Sequence, residues 1–204
     1  GHGCGHNLIC TASLGAALAL RSVLGRNPLP GRILVIGTPG EEGGGGKVLM
    51  VERGVFKDVD AAMMFHPGAR TMVLRGALAA VHIDMTFRGK SAHASSFPHE
   101  GINALDACIQ TFNAINALRQ HFKDEVRIHG IITKGGDAPN IVPDLAEAVF
   151  ILRSKTVDYL EVMKARVKAA AQGAAASVGA TVEFSEGVTS PSARTTGSWP
   201  GFLP

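Results

Sequence analysis

The sequence predicts an α/β chain in two parts, a parallel-sheet segment followed by a smaller open sandwich. Three observations carry this. Residues 33–36 (Ile-Leu-Val-Ile) and 61–65 (Ala-Ala-Met-Met-Phe) are unbroken apolar runs, the pattern of strands in a parallel sheet covered on both faces. Residues 81–88 alternate strictly, with Val81, Ile83, Met85 and Phe87 on one side and His82, Asp84, Thr86 and Arg88 on the other, as in a half-buried strand. Helical spacing then recurs twice, in Ile102, Leu105, Ile109, Phe112 and Leu118 and in Leu160, Met163, Val167 and Ala170.

Taken in order, the chain opens with a glycine loop, Gly3-Cys4-Gly5-His6, running into a helix predicted over 8–24. That helix is apolar nearly all round and is stopped by Gly25, Asn27 and Pro28. A strand is expected at 32–37, a glycine-rich loop at 37–46, a short helix at 47–53 stopped by Gly54, and a second strand at 60–65. This is a βαβ unit, whose sites form beyond the carboxyl ends of the strands. From 76 onward come a strand, a helix, strands at 126–133 and 145–153, a helix that Thr156 can cap, and a short strand at 181–184. The order βαββαβ is that of a ferredoxin-like sandwich with two helices on one sheet face. The expected organisation is 1–75, 76–187, and a Ser/Thr/Pro/Gly-rich tail at 188–204 that is disordered or foreign to the fold.

Composition narrows the function classes. With 46% hydrophobic residues, the 204-residue chain can bury a core. Twenty Lys and Arg against 17 Asp and Glu, scattered among few aromatics, leave no nucleic-acid footprint. Three cysteines, Cys4, Cys10 and Cys108, fit no disulfide framework, and no spanning or signal stretch is expected. The reading is a soluble, cytoplasmic protein without membrane contact.

The loop Gly37-Thr38-Pro39-Gly40-Glu41-Glu42-Gly43-Gly44-Gly45-Gly46-Lys47 carries the chemistry. Adjacent glutamates repel and successive glycines lose backbone entropy on folding, so a purely structural role explains neither. A divalent cation explains both: one carboxylate becomes a ligand and the other acts as base on a metal-bound water. Cys4 and His6 at a helix N-terminus and His66 just past a strand end add candidate ligands, although each alone also reads as an ordinary buried Cys, capping His or loop His. A phosphate loop fails twice, because counting back from Gly46-Lys47 reaches Glu41 and Val48 follows Lys47.

Five ordered motifs now stand out: His2-Gly3-Cys4-Gly5-His6-Asn7, Gly37-Thr38-Pro39-Gly40-Glu41-Glu42, His66-Pro67-Gly68, the stretch from Arg88 to Ser95, and the stretch from Gly135 to Asp144. Together they resemble the aminoacylase and carboxypeptidase-G type metallopeptidase family. Cys4 resembles its zinc peptidase-like amidohydrolase branch, and Asn7 the dipeptidases that cleave β-alanyl-lysine and related basic (Xaa-Arg, Xaa-Lys) dipeptides. The resemblance implies a metal-binding catalytic domain followed by a lid that dimerises. It implies Cys4, His6, Glu42 and His66 as ligands of one or two zinc or manganese ions, Glu41 as general base, His93 as oxyanion donor reaching across a homodimer, and Asn140 and Arg153 as substrate-binding groups. The implied substrate is a dipeptide or N-acyl amino acid. Without the resemblance, residues 91–95 also read as a turn and Arg153 as a solvated strand-end charge. The family's catalytic domain begins before the Cys-Gly-His motif and resumes after the lid with a further His ligand. The chain is therefore expected to be a fragment, inactive in isolation. A non-catalytic metal-binding or regulatory homologue is the alternative, disfavoured by an unligated Glu41.

Overall fold

Alternation on one strand organises the larger part of the structure. The computed structural model describes residues 3–42, 44–70 and 77–190. The chain divides into two compact units, Gly1–Val73 and Leu74–Pro204.

In the second unit, β1 (Ala79–Arg88) alternates buried and outward residues along its length. It pairs antiparallel with β3 (Leu145–Ser154) on one side and β4 (Thr181–Glu186) on the other, and β2 (Arg127–Lys134) pairs outside β3. The sheet order β2-β3-β1-β4 is the ferredoxin-like arrangement the sequence predicts. Val81, Ile83, Met85 and Phe87 meet Ala146, Ala148, Phe150 and Leu152 on the inner face. Two helices cover that face. α3 (Ala104–Leu118) contributes Ala107, Cys108 and Ile115, and α4 (Val157–Ser177) contributes Leu160, Met163 and Val167.

Caps set both helix starts. Asn103 Oδ1 accepts from the amides of Leu105 (2.9 Å) and Asp106 (3.2 Å). Thr156 Oγ1 accepts from the Tyr159 amide at 3.2 Å, the cap expected for that residue. Burial pushes the Cys108 thiol up to about 11, so it is an unreactive core group.

The first unit differs from expectation. α1 (His6–Leu24) and α2 (Gly46–Glu52) form as predicted, but 32–37 and 60–65 are not strands. Among the described residues the one sheet is antiparallel, and neither apolar run pairs with anything. The physical reason is that a strand exists only through a ladder partner, which an apolar pattern does not supply. The runs are also uncovered: Met63 is 85% exposed, and Ile33, Val35 and Phe65 are exposed too. α1 likewise buries none of its residues. By length and composition it is apolar enough to cross a membrane, contrary to the expectation of no spanning stretch. The same pattern serves a helix packed between layers.

The domain boundary expected at 75/76 and tail residues 191–204 lie outside the described residues, as do His2 and Gly43. Ser190 is described and pairs with Ala80 through both backbone bonds.

An ion network ties α4 to β4: Lys164 contacts Glu186 at 2.8 Å and Glu161 at 2.6 Å, and Lys168 also pairs with Glu186. Hydrogen bonds from Lys164 and then Lys168 hold the Glu186 carboxyl below its ordinary value of 4.5. A depressed carboxyl stabilises the fold above its unfolded pKa and loses that contribution as pH falls through the folded one. Glu186→Gln should therefore lower stability by about 1 kcal/mol at pH 7. The difference from wild type should begin to shrink near pH 4.5 and vanish only in acid below the depressed folded value, which paired denaturant titrations at several pH values would measure.

Candidate active site

Three loops of the first unit bring the predicted ligands together. Cys4 and His6 flank Gly5, the residue before α1; Glu42 lies in the glycine loop before α2; His66 follows the second apolar run. Ligand atoms of Cys4, His6 and Glu42 all lie within 4.8 Å of one another. His6 Nε2 is 3.3 Å from Glu42 Oε1, and Cys4 Sγ is 3.4 Å from His66 Nε2. A tetrahedral ion, with sulfur near 2.3 Å and nitrogen or oxygen near 2.0–2.2 Å, separates its ligand atoms by roughly 3.3–3.6 Å. The donor set therefore fits a divalent metal. The His66 ring is already oriented for it: Nδ1 lies 2.9 Å from the Pro67 carbonyl. A carbonyl only accepts, so Nδ1 carries the proton and Nε2 presents a lone pair toward the cluster.

Two glycines permit this convergence. Gly5 has φ 75°, and a Cβ there would stand 2.7 Å from Cγ of Pro67. Gly46 packs so closely on the Pro39 carbonyl that no side chain fits, which folds the Glu41-Glu42 loop back on itself. Glu41 stays outside the ligand group, its Oε2 accepting from Lys47 Nζ at 2.6 Å. Sequence reasoning missed that pairing, although Lys47 closes the same motif.

In the second unit, His93 Nδ1 accepts from the amides of Ser95 and Ser96, both at 3.3 Å. These donors place the ring proton on Nε2, making His93 an outward hydrogen-bond donor. Its loop is laced to that of Asn140: the Ala94 amide donates to the Asn140 carbonyl at 3.0 Å and Val142 to Ala92 at 2.9 Å. Arg153 is not with them. It lies opposite Ala80 and Arg127 at the other end of β3. Roughly 27 Å of strand separate it from Leu145, where the Asn140 loop joins β3. Asn140 and Arg153, both expected to hold substrate, therefore belong to opposite ends of β3 within one copy of the lid.

Comparison with known proteins identifies the second unit. Residues 75–178 match the family described as the peptidase dimerisation domain, M20_dimer. The chain belongs to the M20 peptidase family. It is 38% identical over 186 residues to the Xaa-Arg dipeptidase of Mus musculus, covering 90% of this chain and 43% of that protein. To a p-aminobenzoyl-glutamate hydrolase chain of Escherichia coli it is 41% identical over 185 residues, covering 90% and 38%. The chain thus spans about two fifths of the length of these relatives. Among solved structures, the aminobenzoyl-glutamate utilization protein of Klebsiella pneumoniae superposes with a TM-score of 0.53 at 24% identity, over 58% of this chain and 30% of that one. That likeness shows the fold.

The Gly5 geometry yields a test. A β-branched residue in the left-handed region costs about 1–2 kcal/mol, and at this position it also drives Pro67 and His66 away from Cys4. Gly5→Val should lose most bound zinc by elemental analysis while the circular dichroism of the lid persists. Full zinc occupancy would show that the Cys4 and His66 loops do not share an ion.

Proposed function

We propose that the complete protein is a metal-dependent amidohydrolase that cleaves a dipeptide or N-acyl amino acid as a homodimer in the reducing cytoplasm. The single observation that carries this reading is the convergence of Cys4, His6, Glu42 and His66 at ligand-to-ligand spacings of 3.3 and 3.4 Å, with Glu41 beside them and outside. Those four residues would hold one or two zinc or manganese ions, and the thiolate favours zinc. A bound ion supplies Lewis acidity toward the scissile carbonyl and makes water acidic.

The chain's own groups would do the rest. Glu41, steered by Lys47, takes the proton of the attacking water on a carboxylate oxygen and returns it to the leaving amine. His93 donates its Nε2 proton to the developing oxyanion, a role supported by the two serine amides that occupy Nδ1. Arg153 grips a substrate carboxylate by its planar fork, and Asn140 holds the acyl side. A dipeptide spans only about 7 Å, far less than the strand between Asn140 and Arg153. The two ends must therefore come from different copies of the lid if they hold one substrate, which supports a dimer whose partner donates His93 and Asn140. The relatives' names include both an arginine dipeptidase and a glutamate amide hydrolase, so amide cleavage next to an amino acid is the common element.

Roles separate by substitution in the full-length enzyme. Glu41→Gln should keep its metal and lose turnover by ~10²-fold or more, whereas Glu42→Gln should lose metal; the reverse pattern would exchange their roles. His93→Ala should lower kcat by ~10²-fold with metal content and fold intact, and unchanged kinetics would remove the lid from the catalytic site.

A further inference from the structure

Glu41 and Glu42 are chemically identical neighbours, yet only one belongs to the ligand group. Glu42 Oε1 lies 3.3 Å from His6 Nε2 and shares a cluster within 4.8 Å with Cys4 and His6, which Glu41 does not join. Burial does not make that choice, since the two side chains are 41% and 73% exposed. Charge by itself does not make it either. A divalent ion attracts both carboxylates, and a glycine loop leaves the backbone free to present either one.

Lys47 is what separates them. Its Nζ lies 2.6 Å from Glu41 Oε2, and among the described residues it pairs with no other carboxylate. The loop is closed for this contact: the Gly46 amide donates to the Gly40 carbonyl at 3.1 Å, and a Cβ on Gly44 would stand 2.6 Å from the same oxygen. Lys47 thereby reaches back from the first turn of α2 to the start of the loop. A cation in a first turn opposes the helix dipole, and an exposed ion pair contributes at most about 1 kcal/mol to folding. Stability therefore accounts poorly for the contact, whereas the sorting of two competing carboxylates accounts for it.

We propose that Lys47 is a positioning residue that withholds Glu41 from the metal, so that Glu42 alone of the pair becomes a ligand. The inference rests on the metal-dependent reading above and adds the means by which two adjacent glutamates receive different roles. A catalytic site keeps an open coordination position, and a second carboxylate from the same loop would fill it. With Oε2 held by the Lys47 ammonium, the other oxygen of Glu41 is left to accept from a water. The requirement on residue 47 is a cation that can hold a carboxylate, which arginine also meets through its planar fork.

The test uses full-length protein loaded with cobalt(II), whose visible absorption weakens as ligands are added to a four-coordinate site. Lys47→Met should lower that absorption and tighten the cobalt dissociation constant by about fivefold or more, as a nearby cation is lost and an anionic ligand gained. Adding Lys47→Met to Glu41→Gln should leave the spectrum of Glu41→Gln unmoved, because the carboxylate that would enter is gone. The same double variant isolates the part of the tightening that lost charge repulsion causes alone. Lys47→Arg should restore the wild-type spectrum. An unchanged spectrum in Lys47→Met, or a change that persists in the double variant, overturns the inference and leaves metal-dependent hydrolysis standing. Wild-type protein that binds no cobalt overturns the proposed function itself, and this inference with it.

Discussion

The antiparallel ladder between β1 and β3 is the constraint on which the lid depends. Its ten pairs run from Ala79 opposite Ser154 to Arg88 opposite Leu145 without a slip. Because side chains alternate along a strand, a one-residue shift would turn Ile83, Met85, Phe87, Phe150 and Leu152 to solvent and bring His82, Asp84, Glu147 and Arg153 into the core. Burial of the apolar set excludes that register. The same register decides which charges share the outer face, so core packing and surface charge follow from one alignment.

Strand length has a second consequence. His93 and Asn140 are joined by loop hydrogen bonds at one end of the sheet, while Arg153 stands at the other. A rigid ladder holds them apart within one copy, and the proposed dimer rests on that separation. The name of the matching family, the peptidase dimerisation domain, is consistent with such a design. In the first unit the constraint is close backbone approach: Gly5 against Pro67 and Gly46 against Pro39 let three loops converge without side chains in the way. The glycines that look like entropic liabilities in the sequence are thus the condition for the ligand cluster.

Much of this was legible from sequence because it depends on local patterns. Period-two alternation in 81–88, helical spacing after Asn103 and Thr156, and turn residues between them specify the βαββαβ order, since each pattern has one element that buries its apolar side. The candidate ligands were legible because Cys, His and paired Glu in glycine loops are chemically conspicuous. Pairing was not. Residues 33–36 and 61–65 read as strands but have no ladder partner among the described residues, and hydrophobicity alone cannot name one.

The sequence by itself determined the order of elements in the lid, the family likeness and the list of reactive groups, all of which are properties of short stretches. Tertiary structure decided the distances. It set Cys4 beside His66 and Glu42 beside His6, assigned the His93 proton to Nε2, tied Glu41 to Lys47 and parted Asn140 from Arg153. The physical reason is that hydrogen bonding and charge act through space over a few ångströms, and residues far apart in the chain come within that range only once loops close and strands register.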